Sequence, residues 1–469
     1  MPIFAPSNIP PPLNSKNSDM PVASRNGNTE VIALANLISS TAQEILSEYS
    51  KAGQDIPSLD STDSGPFDAP EKISVGLAKA IRTIEAACAQ LAFTVASPGH
   101  VMANKVLEHE ETACMLVAVN AKVADHLLDK PEGLHVAELA EKANLDADKL
   151  GRILRLLATK HCFREVKPNV FANNRLSMQM VSTNTVSSYI GHIADESVKG
   201  GSYLNETLTD PKTAFSTSAE DSAFRRAHGA SLFEFYNSPA NSNINDRFAQ
   251  ALVGWGNVTG RAMLPRIYAW ENVSENATLC DVGGNKGHMV LDLMKKYPKL
   301  KAVIQDLPTV LKQAKEYWAK ENPQAVEKQR VEFVPIDFLK ESPVPNCDFY
   351  YLRHILHDWP TSDCQKILTN VRKAMGPNSR LLIHEFVLQH IVRDTSEGAE
   401  TINQAPEPLL PNYGMGRVRL YKQDINMMLL CNGKERTLQE FIEIAEQTGF
   451  KFEKLWDSGE AGLIEFTIT

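Results

Sequence analysis

From about residue 277 the chain changes texture, and this restricts the fold more than any other feature. ATLCDV, KAVIQ, VEFVP, CDFYYL and RLLIHEF are short apolar runs, and GHMVLDLMKKY, TVLKQAKEYWAK and SDCQKILTNVRKAM are amphipathic stretches set among them. Strands joined through helices run parallel and need both faces covered, so the pattern predicts an α/β fold with a parallel sheet. After the predicted helix TLQEFIEIAEQTG, the runs KFEKLWD and LIEFTIT flank the turn SGEAG. That reads as a hairpin, which makes the last strand antiparallel.

The rest of the chain is predominantly helical. Residues 1–28 are rich in Pro, Ser and Asn and are expected to be a disordered tail. Residues 29–175 divide into two predicted helices (29–52 and 71–97) around a polar loop and a second unit from 108. There MLVAVNAKVADHLL reads as one helix, and the segment from His135 reads helix, turn, helix, strand, then a wing at NVFANNRLS. A winged helix can read DNA or can serve as a packing module. The net charge is −9, and Glu138, Glu141, Asp146 and Asp148 lie across the first helix and turn. Acidic surfaces repel phosphates, so no nucleic-acid partner is expected. Residues 176–265 are expected to form a helical connecting region, and 266–469 the α/β domain. No apolar run approaches the roughly 18 residues of a membrane span. Seven scattered cysteines without paired spacing fit free thiols in a reducing, cytoplasmic setting.

Ligands of open α/β sheets sit at the carboxyl ends of the strands. The loop LCDVGGNKG, with Asp281, Gly283, Gly284 and Gly287, falls between the first strand and first helix of the sheet, and Asp306 ends the second strand. Glycines allow a sharp turn and close approach of a ligand, and an acid at the second strand suits two ribose hydroxyls. A dinucleotide would require GxGxxG, and a Walker loop would require GK followed by Ser or Thr; neither order occurs. An acid at Asp281 repels pyrophosphate but suits an ammonium group. These features together favour S-adenosylmethionine (SAM), which carries ribose and adenine but no phosphate. His354 and His357, three residues apart, could pair on a metal, but no third ligand of suitable spacing is evident and none is assigned. Met427, Met428, Leu429 and Leu430 suit either core or the wall of an apolar substrate pocket.

With DVGG, QDLP (305–308), HDW (357–359) and NGKERT (432–437) in this order, the chain resembles the class I methyltransferases. More narrowly, it resembles the plant and fungal aromatic O-methyltransferases related to caffeate O-methyltransferase, over residues 100–469. The resemblance implies a Rossmann-like seven-stranded sheet, with 266–469 as the SAM-binding catalytic domain, and a winged-helix dimerisation domain, hence a homodimer. It implies that Gly283 lines SAM, Asp306 holds its ribose, Asp337 and Phe338 flank its adenine, and Arg353 contacts it. His357 would be the general base, bracketed by Glu385 and Glu435, acting on a phenolic hydroxyl of an aromatic natural product. The alternative is a SAM-binding enzyme of this fold that catalyses a pericyclic, non-methylating reaction, for which a permanently cationic residue is expected in place of the base. Two departures stand out: the long N-terminal extension, and the insertion 393–422, which reads as irregular and lid-like.

Overall fold

The computed structural model describes residues 26–393, 403–457 and 459–469. Most of the expected tail, and part of the expected lid, therefore lie outside the described residues. Helix α1 spans Gly27–Lys51, starting just inside the range read as tail, and α2 spans Val75–Val95. Asn26 and Ser74 cap them by accepting backbone N–H groups with their side chains. Helix α3 runs Pro98–Asn120 and stops short of the single helix expected over 115–128. The break is at Lys122, whose φ of +50° cannot continue a right-handed helix, and a short α4 (Val123–His126) follows. The winged-helix reading holds. Helices α5 (Val136–Ala143) and α6 (Ala147–Thr159) pack with three short strands, β1 (Leu134–His135), β2 (Arg164–Lys167) and β3 (Val170–Ala172), in the order β1-β3-β2. Asp146, one of the acids across the turn, caps α6 by accepting the Lys149 N–H.

The sheet of the C-terminal half contains β4 (Thr278–Val282), β5 (Lys301–Asp306), β6 (Val331–Pro335), β7 (Phe349–Arg353) and β8 (Arg380–Glu385). A two-residue pair follows, β9 (Val387–Leu388) with β10 (Arg436–Thr437), and then β11 (Phe450–Asp457) and β12 (Gly462–Ile468). The order of the main sheet is β11-β12-β8-β7-β4-β5-β6. Strands β4 to β8 pair in parallel, and β12 inserts antiparallel between β11 and β8, as the hairpin reading required. Side chains alternate between two cores. Cys280, Val282, Tyr350, Leu352, Leu381 and Ile383 face one; Leu279, Phe349, Tyr351 and Leu382 face the other. Both faces are buried, which explains near-continuous apolar strands rather than polar–apolar alternation. Because β4 pairs with both β5 and β7, the order reverses there, and the loops after β4, β5 and β7 converge at one edge.

The insertion is less irregular than its composition suggested. Its described part packs Ala405, Leu409 and Tyr413 against Leu34, Ala86 and Ala87 of the α1–α2 hairpin, and its last residues begin the helix Val418–Cys431. A Cβ on Gly416 would stand 2.2 Å from the Arg82 carbonyl oxygen, so the two backbones touch where only glycine fits. Extension and insertion are thus two halves of one apolar contact.

Candidate active site

The glycine loop begins where β4 ends. Gly283 and Gly284 both donate backbone N–H bonds to the Gln305 carbonyl, and Asn285 donates to Asp306 Oδ2 at 2.8 Å. Leu307 N–H donates to the other oxygen, Asp306 Oδ1, at 2.7 Å. The acid expected at the ribose therefore also holds the loop in place, with lone pairs remaining on both oxygens. The glycines are dictated largely by the protein. Gly283 has φ +72°, and a Cβ there would meet Ile355 at 2.5 Å and Phe338 at 3.3 Å. Gly287 has φ +69°, and a Cβ there would meet Trp318 and Ile304. A Cβ on Gly284 would collide with the Asp281 carboxylate, so that glycine makes room for the acid.

Asp281 is 3% exposed. Burial and the neighbouring Asp306 raise its pKa to about 7, against the pull of Arg353. Burial also raises Asp306, against its two backbone bonds. A buried acid is suited to an ammonium group and unsuited to a pyrophosphate. Phe338 lies beside Gly283, edge-on to Trp359. Asp337 is turned to solvent: Lys340 holds its Oδ2 at 2.7 Å and its Oδ1 accepts the Leu339 N–H. Arg353 ends β7.

The folded state keeps a proton on Asp281 that the unfolded chain loses above its ordinary pKa, so stability falls as pH rises from about 4 to 7. Asp281→Asn removes that loss. Its ligand-free stability at pH 8 should exceed the parent's by up to about 4 kcal/mol, with no gain at pH 4, while SAM binds less tightly. Equal melting curves at pH 8 would show that Asp281 is not strained. Asp306→Ala should weaken SAM about tenfold or more; unchanged affinity in a direct titration would remove the ribose contact.

On the other side of the edge, β7 runs into the turn carrying HDW. His357 is 7% exposed, and its Nδ1 lies 2.8 Å from Glu435 Oε1. Glu385 is fully buried, but its Oε1 accepts the Ile355 and Leu356 N–H groups at 2.9 Å each, and its Oε2 stands 3.9 Å from His357 Nδ1. The two acids expected to bracket the imidazole thus divide their work. Glu435 engages the ring; Glu385 shapes the turn that presents it. Asp358, adjacent in sequence, reaches only to 3.7 Å from Nε2. Burial opposes charge on His357, but Glu435, Asp358 and Glu385 outweigh it and raise its pKa to about 10.

The NGKERT turn clasps this segment. Lys434 N–H donates to the His357 carbonyl at 2.8 Å, and a Cβ on Gly433 would stand 2.3 Å from that same oxygen. Arg436 is 2% exposed and donates to the carbonyls of Leu356 and Trp359, each at 2.8 Å. Glu435 N–H is held by Asp424. Sequence reasoning assigns no role to Arg436 or Asp424. The available signal is an arginine lodged between an acid and the capping box that starts the next helix at Thr437.

His354 has φ +50°, and neither of its ring nitrogens has a hydrogen-bond partner among the described residues, although Nδ1 stands 3.4 Å from Glu385 Oε2. It stacks on His357 at 5.1 Å. Glu385 joins the two histidines in space, which spacing did not reveal: His354, His357 and Glu385 bring potential ligand atoms within 4.8 Å of one another. His357 Nδ1 is, however, already engaged by Glu435. His384 points to the opposite face of β8 and meets the Tyr351 hydroxyl at 2.8 Å. Met427 and Leu430 are core, packed with Phe224, Leu232 and Tyr236.

Residues 207–451 match the O-methyltransferase domain, and 107–183 the O-methyltransferase dimerisation domain. The chain is 51% identical to 3-O-methyltransferase 2 of Phanerochaete chrysosporium, over 93% of this chain and 97% of that one. It is 33% identical to an O-methyltransferase of Armillaria gallica, over 90% and 94%. Among solved structures, LepI in complex with SAM matches with TM-score 0.66 and 21% identity, covering 95% of this chain and 100% of that one. A SAM-dependent methyltransferase sheet, a dimerisation domain and O-methyltransferase relatives over nearly the whole length place this chain in the O-methyltransferase family.

Proposed function

We propose that the enzyme transfers the methyl group of SAM to a phenolic hydroxyl of an aromatic natural product, with His357 as general base, working as a homodimer. The observation that carries this reading is the His357–Glu435 contact. Glu435 accepts the Nδ1 proton, which sets the tautomer and leaves Nε2 to take a proton from an acceptor. A phenol with an ordinary pKa near 10 is mostly protonated at neutral pH, so removing its proton as the new bond forms assists transfer. An aromatic row leads to His354, which stacks on His357: Tyr189 stacks on Trp255 at 4.9 Å, Trp255 meets Phe386, and Phe386 meets His354. Such a row suits a flat acceptor.

When bound, SAM supplies the methyl group on a positively charged sulfur. In the ligand-free site the acids hold a proton on His357, so the base must first be freed. Burial already works against that charge, and a second cation in the crevice acts in the same direction. A protonated imidazole resembles the cationic residue expected of the non-methylating alternative. Retention of a titratable base, together with the family membership, favours methyl transfer.

The winged-helix unit supports dimerisation rather than DNA binding. No helix of the described residues is long and apolar enough to cross a membrane. All seven cysteines are free, which supports a reducing, cytoplasmic setting. The deciding experiment is mass spectrometry of products after incubation with SAM and a panel of phenols. A gain of one methyl group supports the reading. An isomerised, unmethylated product sinks it.

A further inference from the structure

Where extension and insertion meet the sheet lies a cavity of about 280 Å³. Two arginines from distant parts of the chain line it: Arg82 of α2, and Arg417 from the end of the insertion. Arg82 is 8% exposed; its Nη1 donates to the Gly459 carbonyl at 3.1 Å, and its buried Nε has no partner among the described residues. Arg417 donates to Gln389 Oε1 at 3.3 Å. Among the described residues neither guanidinium has a carboxylate oxygen within 4.0 Å, whereas neighbouring Arg419 is paired with Glu460 at 2.8 Å. Asp457 also lines the cavity, but its Oδ1 accepts the Gly459 N–H. Burial and the charge of Arg82 push Arg417 below the ordinary guanidinium range and outweigh the pull of Glu460 and Asp457, which act from beyond ion-pair distance.

Two like charges buried side by side, with no carboxylate of the described residues in contact with either, are costly. An arginine fork is also the preferred partner of a carboxylate, which it binds through two parallel N–H bonds. The remaining walls choose among anions. Tyr413, whose ring lies 5.6 Å from the Arg82 guanidinium, and Val387, Leu455 and Ala461 offer apolar surface that an inorganic ion cannot use. The volume is below that of a drug-sized pocket and suits a single small acid.

We propose that Arg82 and Arg417 form a second binding site, separate from the methyl-transfer site, for a small aromatic carboxylate. The site bridges the N-terminal hairpin and the catalytic sheet, because its wall includes Gly462, which pairs with Glu385 across β12 and β8. A bound acid would therefore tie the extension to the strand that supports His357.

The test uses the full chain with SAM present and benzoate as probe, followed by calorimetric titration and thermal melting. Benzoate should bind saturably and raise the melting temperature. Arg417→Gln should weaken binding at least tenfold, and Arg417→Lys should retain part of it, while SAM affinity stays within twofold. Arg82→Gln is the second variant, read only if its far-UV circular dichroism matches the parent. Benzoate binding that survives both arginine changes belongs to the methyl-acceptor site and overturns the proposal. Equal binding of benzoate, phosphate and chloride would mean an adventitious ion only, and overturns it too.

Discussion

Replacing His357 by Gln is expected to lower kcat by about 10²–10⁴-fold, the usual worth of a positioned general base, while SAM affinity stays within about twofold. The separation is structural. SAM is expected along the loop after β4, among Asp281, Gly283 and Asp306, whereas His357 stands after β7 and is held by Glu435. The amide of Gln can still approach Glu435 but cannot take a proton from a phenol. The parent's pH profile gives the sign. The base must be neutral, and its pKa in the ligand-free site is raised to about 10, so kcat/KM should climb with pH through the alkaline range. The rise in kcat should come at lower pH, because kcat reports the loaded enzyme. Single-turnover rates with a phenol, measured from pH 6 to 10, check both. A variant retaining more than a tenth of the parent rate would remove His357 as the base.

The second large effect is expected from Glu435→Gln. Glu435 is fully buried and is the closest carboxylate to the ring. Removing its charge takes away the main support of the imidazolium, so the rise in kcat/KM should move to lower pH even as the plateau falls by about 10²-fold, since the imidazolium formed in transfer loses its stabiliser. Stability should respond as well. A histidine whose folded pKa is raised contributes stability that is fully present below its unfolded pKa near 6.5 and is lost as pH rises through about 10. Burial also raises the Glu435 pKa, which is a cost of the same pair. The two directions oppose one another, so the net loss on mutation should be about 2 kcal/mol at pH 6, shrinking towards pH 10. Chemical denaturation at the two pH values measures it. A profile that does not move in Glu435→Gln would mean that the contact is structural only.

The different readability of the two half-sites has a physical cause. The glycine loop and Asp306 lie within one strand–loop–helix–strand unit, so local spacing carried their geometry. His357 and Glu435 are 78 residues apart. Spacing alone could not say whether Asp358, Glu385 or Glu435 orients the ring; the resemblance narrowed the choice to the two glutamates. Glu435 reaches the ring because the Arg436 guanidinium and the Lys434 N–H close the NGKERT turn onto the 356–359 carbonyls. Those are long-range bonds between backbone and side chains, and they leave no periodic trace. His354 shows the same limit: its spacing from His357 was visible, but the approach of Glu385 was not.

What the amino-acid order determined by itself is the alternation of strands and helices, the antiparallel last strand, the winged helix and the position of the glycine loop at the end of the first strand of the sheet. Each of these follows from short-range periodicity or from turn chemistry, where a residue's neighbours in sequence are also its neighbours in space. The tertiary structure alone decided which acid touches His357, that Glu385 braces backbone N–H groups instead, and that the extension and the insertion meet around Arg82 and Arg417. Those outcomes depend on strand order in the sheet and on packing between segments hundreds of residues apart, where burial, not spacing, sets which charges face each other.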